Sequence, residues 1–79
     1  MEFSVFLTSV ADVKTFVNAA SFYPYEVDVL SGRYVINGKS IMGLFSIDLS
    51  APVRVRLSEA GKEAEAFLES LKPYIHQDS

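Results

Sequence analysis

The sequence predicts an α+β fold, an open-faced β-sandwich in which helices cover one face of a four-stranded antiparallel sheet. Three observations predict it: the elements follow the order β-α-β-β-α-β-α, the strand segments alternate apolar and polar residues, and both longer helical segments have one apolar face. The chain has 79 residues, of which 49% are hydrophobic, enough for one small core. We therefore expect a single domain over 1–79.

A helix-capping motif separates the first strand from the first helix. A period near two over Glu2–Thr8 predicts the strand. Ser9, with an acid three residues later, is close to a capping box and places the start of the helix at Val10. The helix should end before Pro24, because proline cannot continue the hydrogen-bond ladder. Its inward positions recur at helical spacing and are Val13, Phe16, Val17 and Ala20.

A β-hairpin and a short helix make up the middle of the chain. The hairpin strands are expected over Tyr25–Leu30 and Arg33–Ile36, with a turn at Ser31-Gly32. Ser40 is a good N-cap residue for the helix that follows, Ile41–Phe45. A helix of this length is unstable alone, so it needs a sheet beneath it.

One strand and one helix are predicted in the last third. After a loop, Val53–Leu57 alternates as a strand with one apolar and one basic face. The helix is expected over Lys62–Lys72, with Pro73 at its end, and Gln77–Ser79 is expected to fray. The inward positions of this helix are Ala64, Phe67, Leu68 and Leu71.

Composition excludes several classes of function. The chain has no cysteine, which excludes disulfides, thiol catalysis and iron–sulfur clusters. A net charge of −3 disfavours a nucleic acid partner, since phosphate binding needs clustered Lys and Arg. No apolar run reaches the roughly 20 residues that span a bilayer, and the start Met1-Glu2-Phe3-Ser4 lacks the basic region of a signal peptide, so we expect a cytoplasmic protein without a membrane partner. We expect no metal and no cofactor.

The segment Lys39–Ser46, which reads K-S-I-M-G-L-F-S, resembles the regulatory-serine segment of HPr. HPr is the histidine-containing phosphocarrier of the bacterial sugar phosphotransferase system. The resemblance extends through the order of elements, the Asn37-Gly38 turn and the apolar pattern of Gly61–Leu71. It implies an HPr-like fold for 1–79 and a regulatory or phosphotransferase function.

The junction that carries phosphate in HPr reads differently in this chain. The resemblance implies a G-I-H-A-R-P-like segment there, in which helix N-terminal amides and the arginine steady the phosphate on the histidine. Aligned without gaps, Ser9 stands at the histidine position, Ala11 at the arginine position and Asp12 at the proline position. We expect no phosphohistidine here, because the histidine is replaced by Ser9. An acid in the first turn of the helix would also repel an incoming phosphoryl group.

Three residues have both a structural and a functional interpretation. Ser9 is a helix cap on the simplest interpretation and a displaced phosphoryl acceptor on the other. His76, the only histidine, is expected to be a surface side chain; the alternative is that it serves as a displaced phosphoryl acceptor. Ser40 is a cap, and the resemblance implies that it is also the target of a regulatory kinase.

The resemblance implies that the short helix presents apolar residues to protein partners. We place Lys39, Ile41, Met42 and Phe45 in this partner-binding surface, with Met42 and Phe45 as its exposed members. No catalytic residue is assigned, and a non-catalytic binding or regulatory protein is favoured over an enzyme. The alternatives are an active phosphocarrier with a displaced acceptor, and an assembly unit that forms a homodimer through a strand edge or the short helix.

Overall fold

A computed structural model of the chain describes residues 1–76. Its strands and helices confirm the predicted fold class and follow the predicted order, with a 3₁₀ turn and a two-residue strand added at the C-terminal end. In chain order they are β1 (Glu2–Val5), α1 (Val10–Phe22), β2 (Val27–Ser31), β3 (Tyr34–Asn37), α2 (Ile41–Phe45), β4 (Val53–Leu57), α3 (Lys62–Ser70), a 3₁₀ turn (Lys72–Tyr74) and β5 (Ile75–His76). The predicted fraying of Gln77–Ser79 concerns residues outside the described part.

The sheet is antiparallel throughout, with strand order β3-β2-β4-β1-β5. Strands β3, β2, β4 and β1 are the four predicted ones. The added strand β5 pairs Ile75 with Val5 at the edge of β1. The backbone N–H of Phe6 also donates to the carbonyl of Tyr74 at 2.8 Å, which fixes the turn before β5. Two residues are too few to show a period of two, so sequence periodicity could not reveal this strand.

Helices cover one face of the sheet and bury a core made of apolar side chains. In α1 the buried residues are Val13, Phe16 and Ala20, which is the predicted face, with Val17 half-buried. On the sheet side, the apolar residues of β4 are buried and alternate with exposed Arg54 and Arg56. The ring of Phe67, in α3, contacts Phe3 of β1 and Phe16 of α1.

Helices α1 and α3 each end shortly before a proline. The C-cap of α1 is Tyr23, whose extended backbone precedes Pro24 as predicted. Helix α3 ends at Ser70, two residues earlier than predicted, because Pro73 lies in the 3₁₀ turn that follows. In residues 1–76, no helix is both long and apolar enough to cross a membrane.

The uncovered face of the sheet has paired charges. Glu2 lies opposite Arg56 in the register and accepts a hydrogen bond from Arg54 Nε at 3.1 Å, with Arg56 Nε at 3.8 Å. These ion pairs are exposed, so each contributes about 0–1 kcal/mol. The basic face predicted for β4 is therefore partly neutralised by β1.

Candidate functional site

A network of capping hydrogen bonds fixes the junction between β1 and α1. Ser9 is the N-cap of α1, and its Oγ accepts a hydrogen bond from the backbone N–H of Asp12 at 3.1 Å. The Asp12 carboxylate accepts hydrogen bonds from Thr8, from the backbone N–H at 3.0 Å and from the hydroxyl at 3.1 Å. The capping interpretation of Ser9 is confirmed, and a fixed negative charge lies in the first turn of the helix.

Hydrogen bonds keep this carboxylate ionised. Donation from the Thr8 backbone N–H is the largest effect and lowers the pKa of Asp12 below its ordinary value of 3.8. Partial desolvation opposes it, and hydrogen bonds from the Thr8 hydroxyl and from Ser9 lower the pKa further. A carboxyl group with a lowered pKa in the folded state stabilises the fold above its unfolded pKa. That stabilisation is lost as the pH falls through the folded value.

The replacement Asp12→Asn tests this linkage. We expect the difference in unfolding free energy between wild type and Asp12→Asn to be largest near neutral pH and to shrink as the pH falls below the ordinary value of 3.8. Urea denaturation at a series of pH values measures it. A second variant, Asp48→Asn, should show a pH dependence of the same sign, because hydrogen bonds from Ser50 also lower the pKa of the Asp48 carboxyl, in the loop before β4. A difference that is the same at every pH would contradict the role of Asp12.

Helix α2 is capped and pressed onto the sheet. Ser40 is its N-cap, and Ser40 Oγ accepts a hydrogen bond from the Gly43 backbone N–H at 3.2 Å, which confirms the predicted cap. Leu44 is fully buried in the core. A Cβ atom at position 43 would lie 2.7 Å from Ile36 Cγ2, so only glycine allows α2 to approach β3 this closely.

The outer side of α2 is apolar and exposed. Met42 is 77% exposed and Phe45 is 43% exposed, and three residues apart on a helix they share a face. Phe45 lines a groove with Val10, the first residue of α1, which is itself exposed. We call Val10, Met42 and Phe45 the α1–α2 surface. Ile41 is half-buried and packs against the core, so it contributes less to this surface than its exposed neighbours.

Lys39 does not join the α1–α2 surface in this structure. Its Nζ donates a hydrogen bond to the carbonyl oxygen of Tyr23 at 2.6 Å, at the C-terminal end of α1. A cation there complements the partial negative charge of the helix terminus. Lys39 lines a different groove, together with Tyr25 and Glu26. Binding of a partner by Lys39 stays a prediction.

Comparison with known proteins decides the family. A family model described as the HPr component phosphorylation site of the phosphotransferase system, PTS-HPr, matches residues 12–77. The chain belongs to the HPr family. The match begins at Asp12, three residues after Ser9. No curated protein sequence matches the chain.

Solved structures of HPr proteins have the same fold. The crystal structure of HPr-C-His from Thermoanaerobacter tengcongensis is 18% identical, with a TM-score of 0.71, and 91% of each chain is covered. The histidine-containing phosphocarrier protein of Mycoplasma is also 18% identical, with a TM-score of 0.69, over 92% of this chain and 89% of that one. At this identity the likeness establishes the HPr fold.

The sequence predicts only part of the α1–α2 surface. The pattern of α2 indicates Met42 and Phe45, whereas Val10 lies in α1 and is not part of that pattern. The available signal was that Val10 precedes the inward residue Val13 by one turn and lies at the helix start, where no further turn covers it. In the described residues, no group of three or more His, Cys, Asp or Glu side chains could hold a metal ion.

Proposed function

We propose that this HPr-family chain, one domain over 1–79, is a cytoplasmic protein-binding or regulatory module that docks partners on the α1–α2 surface and has no phosphohistidine carrier activity. The proposal rests on two features that occur together. Met42 and Phe45 form an exposed apolar surface, and at the β1–α1 junction Ser9 and Asp12 stand where the resemblance places the histidine and the proline. Binding of a partner needs the exposed apolar surface, whereas the junction at Ser9 and Asp12 opposes phosphoryl transfer.

The geometry of the junction supports the absence of carrier chemistry. Ser9, which stands where the resemblance places the histidine, has no imidazole to accept a phosphoryl group, and its Oγ instead caps α1 by accepting a hydrogen bond from the Asp12 N–H. The ionised Asp12 carboxylate would repel an incoming phosphate from the amides of α1. Ala11, where the resemblance places an arginine, offers no compensating charge.

Ser40 supports a regulatory element in the proposal. It is half-buried at the start of α2 and lies two residues before the exposed Met42. A phosphate on Ser40 would add about −1.5 to −2 charge beside the α1–α2 surface. Because a negative charge is tolerated at a helix N-terminus, α2 would persist while an apolar partner would meet a charged group. Phosphorylation would therefore reduce docking.

Replacing Met42 and Phe45 together by aspartate tests the docking surface. The tagged wild type and the Met42→Asp, Phe45→Asp variant are each exposed to extract of the native host, and the bound proteins are identified by mass spectrometry. We expect the variant to lose the partner at least about tenfold, because two charges would be buried in an apolar contact. Wild-type protein phosphorylated at Ser40 should also lose the partner, whereas the Ser40→Ala variant should retain it.

The matched control for this experiment is Phe22→Asp. Phe22 is 81% exposed at the far end of α1, so the change adds a charge at an equally apolar surface position outside the α1–α2 surface. Circular dichroism confirms that each variant is folded. Recovery of the same partners by both the double variant and wild type would show that α2 is not the binding site.

A further inference from the structure

Strand β3 forms one edge of the sheet, and part of its backbone points away from its neighbour. The Gly38 N–H donates to the Val27 carbonyl at 2.7 Å, and the same register pairs Val29 with Ile36. Hydrogen-bonded and non-hydrogen-bonded pairs alternate along antiparallel strands. Ile36 therefore directs its N–H and C=O to β2, whereas Val35 directs its own outward, where no other described strand lies.

Apart from its length of four residues, this edge lacks the usual features that prevent strand pairing. Natural edge strands are protected by charged residues, proline, bulges or very short length. Tyr34–Asn37 contains no charge and no proline, and its register with β2 runs without a bulge. Tyr34 is 68% exposed and Val35 is 61% exposed. The opposite edge, β5, has only two residues in the described part.

We propose that two copies of the chain associate through antiparallel pairing of their β3 strands, about a two-fold axis at Val35. The outward N–H and C=O of Val35 in each copy pair with those of Val35 in the other. Both copies then contribute their sheets to one continuous sheet, with the helices on the same side. On the uncovered face, the exposed Val35 side chains become direct cross-strand neighbours.

The choice of a second copy as the occupant rests on the symmetry of β3 itself. Tyr34 and Ile36 flank Val35 on the helix side, so a two-fold axis at Val35 places Tyr34 of one copy opposite Ile36 of the other. Ile36 lines a groove with Ile47, which offers an apolar surface for the exposed tyrosine ring. Arg33 and Asp48 line the same groove, so side chains of both signs of charge border the proposed contact.

Sedimentation equilibrium of the full chain tests the proposal. The monomer has a mass of 8.8 kDa, and twice 8.8 kDa gives 17.6 kDa for the dimer. As the concentration rises to about 1 mM, where weak contacts of small area associate, we expect the weight-average mass to increase from the first value toward the second. Amide exchange of Val35 should slow over the same range.

Val35→Pro is the decisive variant, because it removes a single outward N–H. Proline is tolerated on an edge strand where the N–H does not face the neighbouring strand, so the β2–β3 pairing is retained. We expect this variant and Val35→Lys to remain at 8.8 kDa, and the control Phe22→Ser, at an exposed position of α1, to associate as wild type does. The lysine variant keeps the test valid should the proline variant not fold.

Two results would overturn the proposal. One is a wild-type mass of 8.8 kDa at every concentration up to about 1 mM. The other is association that both Val35 variants retain, which would place the contact outside β3. Neither result bears on docking of a different protein at the α1–α2 surface, because Tyr34 and Val35 are not part of it.

Discussion

Replacing Phe67 by alanine is expected to lower the free energy of unfolding by about 3–5 kcal/mol. Phe67 is buried and joins three other rings, with centroids 6.3 Å from Phe3, 5.8 Å from Phe16 and 5.7 Å from Tyr23. These rings come from β1, α1 and the cap of α1, so the alanine variant leaves a cavity where the helices meet the sheet. Aromatic pairs contribute about 0.5–1.5 kcal/mol beyond the area they bury.

A loss of this size removes much of the stability of a small domain, which is typically about 5–15 kcal/mol. Urea denaturation followed by circular dichroism measures it. Phe22→Ala is the matched control, because it truncates the same side chain at an exposed position of α1, where the change should stay within about 0.5 kcal/mol. Similar destabilisation by the two variants would show that the ring cluster around Phe67 does not stabilise the fold.

The fold could be predicted because the hydrophobic periodicity and the positions of the capping residues and prolines agree along most of the chain. The alternation at Val53–Leu57, the cap at Ser9 and the break before Pro24 all appear in the structure where the sequence placed them. The bounds were less accurate where tertiary contacts decide them. Strand β2 begins at Val27, not at Tyr25, because Tyr25 instead packs its ring edge-on against Tyr23 at 5.5 Å.

The candidate site was predicted in part, and the missing part depends on three-dimensional proximity. The pattern of α2 separates the buried Leu44 from the exposed Met42 and Phe45 without knowledge of the fold. The groove between Phe45 and Val10 is absent from any local pattern, because the two residues lie 35 positions apart in sequence. Likewise, Lys39 adjoins α2 in sequence, but its ammonium group donates a hydrogen bond to the carbonyl oxygen of Tyr23 at the end of α1.

The lack of phosphoryl transfer is the second large effect that we expect. Ser9 caps α1 in the position that the resemblance gives to the phosphorylated histidine, and Asp12 adds a negative charge to the turn that would bind the phosphate. The remaining candidate, His76, lies at the end of β5. Rates of transfer should therefore fall below detection under conditions in which a histidine-containing HPr protein is fully labelled.

The most direct measurement is incubation of the full chain with labelled phosphoenolpyruvate and the first enzyme of the phosphotransferase system. A histidine-containing HPr protein treated in parallel is the positive control. We expect no label on this chain and an intact mass without added phosphate, because the junction at Ser9 and Asp12 accepts none. Acid-labile label, or label lost on Ser9→Ala or His76→Ala, would show a working phosphocarrier and contradict the proposed function.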